Sequence, residues 1–314
     1  MKIWVLFHGP LDTDHPEAYE CLRLKEEAEK LGASLEVMSA EDFDLVIDST
    51  DEWRAIYRGD YIDPPDLIIP RTGAETSYNA FSVLRFYESL KVPILNNWLA
   101  IETVADKLHT HQVLAARRFP VPRTILGKFP PDLDLIENKL GFPVVVKTLR
   151  GTRGGGVFLS ESREQFKDLA DLIAEANSSV HMLFQEYISR SHGRDLRAFV
   201  VGSKVLACME RRSSDGGFKS NISRGGTGSP HPVTPVIRDL SLGVCKALNL
   251  EIAGIDLLID SNGFRVCEAN SAPGFKGLES YCNVNAAREI IQLGLAKGKP
   301  RQSFLSRFQR RLAA

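Results

Sequence analysis

Three groups of residues have the types and spacing to do chemistry. The first is Gly151-Thr152-Arg153-Gly154-Gly155-Gly156, four glycines in six residues, lying between the apolar run 143–147 (PVVVK) and a second apolar run, 157–159. Glycine N–H groups with no side chains around them can close over phosphate oxygens, and Lys147 and Arg153 add cations suited to a triphosphate. A glycine-rich turn is also an ordinary hairpin connection, so the loop alone does not establish a nucleotide site. It is not a Walker loop, which needs G-x-x-x-x-G-K-[ST] feeding a helix.

The second group is Asp256 in GIDLLID, with Glu268 and Asn270 in FRVCEAN. A two-residue spacing puts Glu268 and Asn270 on one strand face, and hard oxygen donors suit Mg²⁺ shared with substrate phosphates. Ordinary solvated charges are the alternative. Asp256 joins that face if it pairs with Glu268 directly or diagonally by even steps. Direct pairing requires a three-residue connection, 261–263, or an equivalent bulge, because an unbulged even-numbered loop would turn Asp256 to the other face.

The third group is cationic. Arg211 and Arg212 end a strand, and Asn221, Arg224 and Gly225-Gly226 follow in a glycine- and serine-rich stretch, 213–229, that reads as a loop. Arg71 ends the third strand of the first domain, where open parallel sheets place ligands. Each alone reads as a surface arginine; together they suit carboxylates, which planar guanidinium groups bind bidentately. Between these groups stand Gln185-Glu186-Tyr187 and Asp195, the last sharing a strand face with Arg197 and open to a simple ion pair.

The elements that must position these residues follow from periodicity. Residues 2–7 read as a buried strand and 17–31 as a helix with Tyr19, Leu22, Leu24, Ala28 and Leu31 on its apolar side, capped by Gly32. Strands at 35–38 and 67–69, a helix over 77–90 and Ile94-Leu95 complete a small parallel α/β layer. His8-Gly9-Pro10 is not a dinucleotide fingerprint, so the nucleotide is expected elsewhere. A helix over 99–118 leads to Pro120, Pro122, Pro130 and Pro131, which mark a boundary. Strands at 143–147, 157–159, 183–187, 196–201 and 204–211, helices at 163–176 and 235–249, and the final hairpin turning at 260–263 follow.

The 314 residues suit about two domains at about 150 residues each. Hydrophobic residues are 43% and charged residues 25%, as in folded globular chains. The formal charge of −1 excludes a whole-surface nucleic-acid binder, but it is a cancellation. Six cations (Lys297, Lys299, Arg301, Arg307, Arg310, Arg311) and no acid follow residue 289, leaving 33 cations against 40 acids before it, net −7. The basic tail reads as solvated and partly helical, or as a dock for an acidic protein or RNA. No apolar run approaches the roughly 20 residues of a membrane helix, and the opening apolar run is shorter than the roughly 7–15 residues of a signal peptide core. The odd set Cys21, Cys208, Cys245, Cys267 and Cys282 contains no CxxC and suits a reducing compartment; a cytoplasmic location is expected.

PVVVKTLRGTRGGGV, LFQEYI, DLRAFVVG, ERRSSDGGFKSNISRGG, AGIDLL and CEANSAPGFKGLE, in this order and spacing, resemble the ATP-grasp ligases, specifically the RimK-type α-L-glutamate ligases, over about residues 1–292. LIIPRTG and ADKL resemble that family's N-terminal part. The resemblance implies a mixed α/β and α+β ATP-grasp fold behind a parallel pre-ATP-grasp domain. Its divisions would be 1–98, then 99–292 with a lid at about 119–185 and a C-terminal subdomain at about 186–292, then the tail 293–314. It implies that Lys107, Lys147, Arg153, Gly154, Gly155, Gly156, Lys219, Ser220 and Asn221 approach the ATP phosphates. Glu186 and Tyr187 would meet adenine, Asp195 the ribose, and Asp256, Glu268 and Asn270 would hold Mg²⁺, with Mn²⁺ as a substitute. Arg211 and Arg224 are the catalytic candidates, with Arg71, Arg211 and Arg224 binding substrate carboxylates. The implied reaction joins an amino acid, glutamate first, to a carboxylate acceptor: a protein C-terminus, a peptide or a small N-acyl amino acid. Another amino acid or a small dipeptide product, and a non-catalytic ATP-binding module, are the rival readings. A homo-oligomer with no membrane or nucleic-acid partner is expected.

Overall fold

The computed structural model describes residues 1–11, 17–49, 53–151, 155–176, 181–220 and 225–298. Arg153, Gly154, Asn221, Arg224 and the tail from 299 lie outside the described residues.

The N-terminal part contains β1 (Lys2–Leu6), α1 (Ala18–Lys30), β2 (Ser34–Met38), β3 (Phe43–Val46), β4 (Arg54–Tyr57), β5 (Asp60–Ile62), β6 (Leu67–Pro70) and α2 (Tyr78–Ser89). The expected parallel layer is present in the order β2-β1-β6, with Ile94 bridging to Ile68. Strand β1 is buried on both sides, as parallel strands are. Ile3 and Val5 face a core containing Leu24 of α1, and Trp4 and Leu6 face one containing Val83 and Tyr87 of α2. Two details differ from the sequence reading. Leu22 is exposed, and the buried stripe of α1 is Ala18, Cys21, Leu24 and Ala28 with Glu20 and Glu27. A second, antiparallel sheet β3-β4-β5 was not foreseen, its strands being only three or four residues long.

The expected helix over 99–118 is two: α3 (Trp98–Ala105) and α4 (Lys107–Ala116). Asp106 breaks it by leaving the helical region and capping α4, its carboxylate accepting from His109 N at 3.0 Å. The break sets Lys107 at the start of a new helix. A second unit then contains β7 (Thr124–Gly127), α5 (Leu133–Leu140), β8 (Val144–Thr148), β9 (Val157–Ser160), α6 (Arg163–Ala176) and β10 (Met182–Glu186). Its sheet runs β7-β10-β8-β9, and its core, with Ile136, Val144, Val146, Phe166 and Phe184, is its own. The glycine-rich loop joins β8 to β9, as expected.

The third unit contains β11 (Arg194–Val201), β12 (Lys204–Arg212), β13 (Thr227–His231), α7 (Pro235–Leu248), β14 (Ile252–Asp260), β15 (Gly263–Asn270), α8 (Lys276–Cys282) and α9 (Ala286–Lys297). Its antiparallel sheet runs β13-β12-β11-β14-β15. Residues 227–229, assigned above to a loop, begin the edge strand β13, where Pro230 is tolerated because an edge leaves one side unpaired. Helix α9 continues to Lys297, so residues 293–297 of the expected tail are helical.

One face of this sheet packs against α7 through Leu196, Ala198, Val200, Ile255 and Leu257. On the other, Phe199, Val201, Met209 and Ile252 share a core with Ile3, Val5 and Leu24, so the first and third units are fused. Asn96, 1% exposed, pins that junction. Its amide donates to Ile252 O at 2.7 Å and Ser271 O at 2.9 Å and accepts from Glu251 N at 2.6 Å and Ile252 N at 3.0 Å. Asn96→Ala orphans several buried backbone groups at about 1–3 kcal/mol each. A stability loss of at least about 3 kcal/mol in chemical denaturation is expected.

Candidate active site

Strand alternation and register bring the charged residues together. In β11, Leu196 and Ala198 go to the α7 core, which turns Asp195 and Arg197 to the opposite face. Asp195 pairs with Arg211 of β12, Arg197 with Asp256 of β14, and Asp256 with Glu268 of β15. The final hairpin has only a two-residue connection, Ser261-Asn262, since Asp260 pairs with Gly263. The even loop is compensated by a bulge: Leu257 faces Val266, Asp256 faces Glu268, and Cys267 is the extra residue. Asp256, Glu268 and Asn270 therefore share one face, by the bulge rather than by a three-residue connection.

Arg211 is 3% exposed, and its Nε and Nη2 donate to the two oxygens of Asp195 at 2.6 Å each. Nη2 also reaches Asp256 Oδ2 at 2.9 Å. Arg197 grips both oxygens of Asp256 at 2.7 Å. Arg197 was foreseen as a partner of Asp195 on its own strand; both ion pairs instead run across strands. Burial works against the charge on Arg211, but Asp256 and Asp195 outweigh it and raise its pKa. Burial likewise opposes ionisation of Asp256, and Arg197 and Arg211 overcome it and lower its pKa. Asp195 thus faces Arg211. The Nη1 donors of Arg211 take no partner among the described residues.

The opposite wall comes from the second unit. Lys147, 9% exposed, donates to Gln185 Oε1 at 2.7 Å and lies 3.5 Å from Cys267 Sγ. Gln185 in turn donates to Thr124 Oγ1 at 2.9 Å. His111 lies beside it, with Nε2 3.1 Å from Cys267 O and Nδ1 3.3 Å from Thr124 Oγ1. Lys107 Nζ donates to Gly151 O at 2.9 Å, tying the start of the glycine-rich loop to α4; burial, chiefly, lowers its pKa. Glu186 accepts from Arg123 N at 2.8 Å. Tyr187 follows it where the chain leaves β10.

A cavity of about 850 Å³ lies between the walls. Arg71, Lys107, Lys147, Gly155, Glu186, Tyr187, Asp195, Arg211, Lys219, Ser220, Asp256, Glu268 and Asn270 all line it. Gly156 is placed just outside, its carbonyl accepting from Thr148 N at 3.0 Å. Gln185, His111, Arg197 and Glu20 were not foreseen as site residues. Gln185 carried a signal, a polar residue continuing the apolar run 182–184; the others became visible only through long-range packing.

The donor set fits Mg²⁺. No group of three or more His, Cys, Asp or Glu side chains is placed to hold a metal among the described residues. Two carboxylates and an amide suit an ion that takes its remaining ligands from water and phosphates. Asp256 Oδ1 accepts only from Arg197 and keeps a second lone pair. Asn270 Nδ2 donates to Gly254 O at 3.3 Å, a bond that does not engage its carbonyl oxygen.

Two family models cover nearly the whole chain: a RimK pre-ATP-grasp domain over residues 1–101 and a RimK-like ATP-grasp domain over 104–293. The chain belongs to the RimK-like ATP-grasp family. A probable alpha-L-glutamate ligase of Legionella pneumophila (strain Corby) is 35% identical over 302 residues, 96% of this chain and 97% of that protein. One from Serratia proteamaculans (strain 568) is 37% identical over 283 residues, covering 90% and 93%. The ATP-grasp fold is shared with the ligase PsnB complexed with a minimal precursor, at TM-score 0.73 and 16% identity over 94% of this chain and 98% of that one. It is also shared with D-alanine–D-alanine ligase of Bacillus anthracis complexed with ATP, at TM-score 0.67 and 17% identity over 95% and 97%. No helix among the described residues is long and apolar enough to cross a membrane.

Burial lowers the His111 imidazole from 6.5 to about 4. The fold therefore favours the neutral ring. Its contribution is full above pH 6.5 and is lost as pH falls toward 4, amounting to about 2 kcal/mol by pH 5. Denaturation of wild type and His111→Asn at pH 7.5 and 5 is expected to show that much of the wild-type advantage disappearing.

Proposed function

We propose that this RimK-like ATP-grasp protein is an ATP- and Mg²⁺-dependent carboxylate–amine ligase that adds L-glutamate to a carboxylate acceptor. The observation that carries the reading is the single face bearing Asp195, Arg211, Arg197, Asp256 and Glu268, set across one cavity from Lys107 and Lys147. The names of the bacterial relatives support glutamate as the incoming amino acid. An acceptor carboxylate takes the γ-phosphoryl group of ATP to give an acyl phosphate and ADP. The amine of the incoming amino acid then displaces phosphate and forms the amide.

Lys107 and Lys147 neutralise charge on the transferred group, and Gly154, Gly155 and Gly156 close over it with Arg153, Lys219, Ser220 and Asn221. Glu186 and Tyr187 flank the adenine. Asp195 holds Arg211 and reaches the ribose through its remaining lone pairs. When bound by Asp256, Glu268 and Asn270, Mg²⁺ or Mn²⁺ screens the phosphate oxygens. Arg211 turns its Nη1 donors to the oxyanion of the tetrahedral intermediate, and Arg224 and Arg71 orient substrate carboxylates. A peptide or protein C-terminus is the acceptor class favoured, since the PsnB structures of the same fold hold a precursor peptide.

Phosphate release is expected only with ATP, an amino acid and an acceptor such as a glutamate-ended peptide together; ATP binding without that turnover would sink the ligase reading. Arg211→Lys keeps the charge but loses the fork. It is expected to slow both acyl-phosphate and amide formation by more than about tenfold, roughly 1.4 kcal/mol. A smaller effect removes the oxyanion role.

A further inference from the structure

The cavity wall away from the glycine-rich loop contains two unsatisfied polar atoms. Glu20, in the first turn of α1, is 2% exposed and Arg71, just after β6, is 7% exposed. Both are fixed to the loop after β15. Glu20 Oε1 accepts from Phe275 N at 2.8 Å and Lys276 N at 3.2 Å. Arg71 Nη1 donates to Pro273 O at 3.0 Å, and its guanidinium lies 5.7 Å from the centre of the Phe275 ring. The other carboxylate oxygen, Glu20 Oε2, is buried with no donor, and Arg71 Nε is buried with no acceptor. Among the described residues these are the only such buried, unpartnered side-chain atoms on residues that line the cavity.

The two side chains form no ion pair with each other among the described residues. Each spends one polar atom on the same short stretch of loop, and one buried acceptor atom and one buried donor atom are left over. Leaving a buried charged group without its partner costs more than the about 1–3 kcal/mol of a neutral one, and a single ligand that supplies both partners would complete the arrangement. An α-amino acid does so on adjacent atoms, with an ammonium donor and a carboxylate acceptor on one carbon.

We propose that Glu20 and Arg71 form a head-group clamp for the incoming amino acid, Glu20 taking its ammonium and Arg71 its α-carboxylate. The proposal rests on the ligase reading for the word incoming, but not for the binding itself. The clamp accepts a free L-α-amino acid and rejects one whose amine is acylated, because an amide nitrogen has no charge to offer Glu20. It thereby separates the amine substrate from an acceptor that carries only a carboxylate.

The discriminating variant is Glu20→Gln. Its carbonyl oxygen still accepts from Phe275 N and Lys276 N, so the loop keeps its anchor, while the orphan acceptor becomes an N–H donor. Binding is measured by calorimetry with Mg²⁺ and a non-hydrolysable ATP analogue present, using L-glutamate and N-acetyl-L-glutamate as probes. Wild type is expected to bind L-glutamate at least tenfold more tightly than the N-acetyl probe. Glu20→Gln is expected to lose that preference with unchanged affinity for the analogue and an unchanged melting temperature. Equal L-glutamate affinity in wild type and variant, or no L-glutamate binding by wild type, overturns the clamp. Phosphate release by wild type is followed in parallel: L-glutamate binding without turnover upholds the clamp and overturns the ligase reading. Turnover with an unshifted L-glutamate KM in Glu20→Gln does the reverse.

Discussion

The site depends on one register. In an antiparallel sheet each side chain has a single choice of face, and a slip of one residue exchanges the two faces completely. The bulge at Cys267 makes that choice for β15: with the two-residue turn after Asp260 and no bulge, Asp256 would stand opposite Cys267, and Glu268 and Asn270 would turn into the α7 core. The cost of that alternative, two polar groups among Ile255, Leu257 and Val266, is what keeps the register in place. Hydrophobic burial on one side of the sheet therefore specifies the chemistry on the other.

The charges on that face are tolerable because they alternate. Arg211 lies between Asp195 and Asp256, and Asp256 lies between Arg211 and Arg197, so each buried charge has two neighbours of opposite sign or a bidentate grip on one. Such a network gains little net stability over an apolar core of the same shape. Its value is positional. The pairings use up the donors that point along the sheet and leave Arg211 Nη1 and one oxygen of Asp256 with capacity for other partners. On the facing wall, Gln185 plays the same part for Lys147, a neutral group that fixes a cation without cancelling it.

Much of this was legible in the residue order. β-branched runs located β8, β14 and the long strands around them, and the requirement that Asp256 meet Glu268 forced either a three-residue turn or a bulge. Which of the two occurs is decided at the turn, where Asp260 pairs with Gly263 and the glycine supplies the positive φ of +120°. Strands β3, β4 and β5 escaped notice because each is too short for alternation to be counted. β13 escaped because Thr227-Gly228-Ser229-Pro230-His231 has the composition of a turn and is a strand only by pairing with β12. Asp106 is a capping residue inside an otherwise helical pattern, and the break it causes could have been read from its type. Glu20 and His111 could not. Nothing in their neighbours announces burial, which comes from contacts with residues 275–276 and 267, far along the chain.

The elements divide into three units, but two of the three share a core. Ile3, Val5, Phe199, Ile252 and Phe275 belong to one apolar cluster, so the N-terminal layer and the five-stranded sheet form a single body. Phe166, Phe184 and Val146 belong to another that shares no member with it. Polar contacts cross between them, among them Lys107 to Gly151, Thr124 to His111, and the thiol contact of Lys147 with Cys267. Separate cores make separable cooperative units: loss of the smaller core exposes Phe166, Phe184 and Val146 while Ile3, Val5 and Phe199 stay buried, so the two bodies need not unfold together.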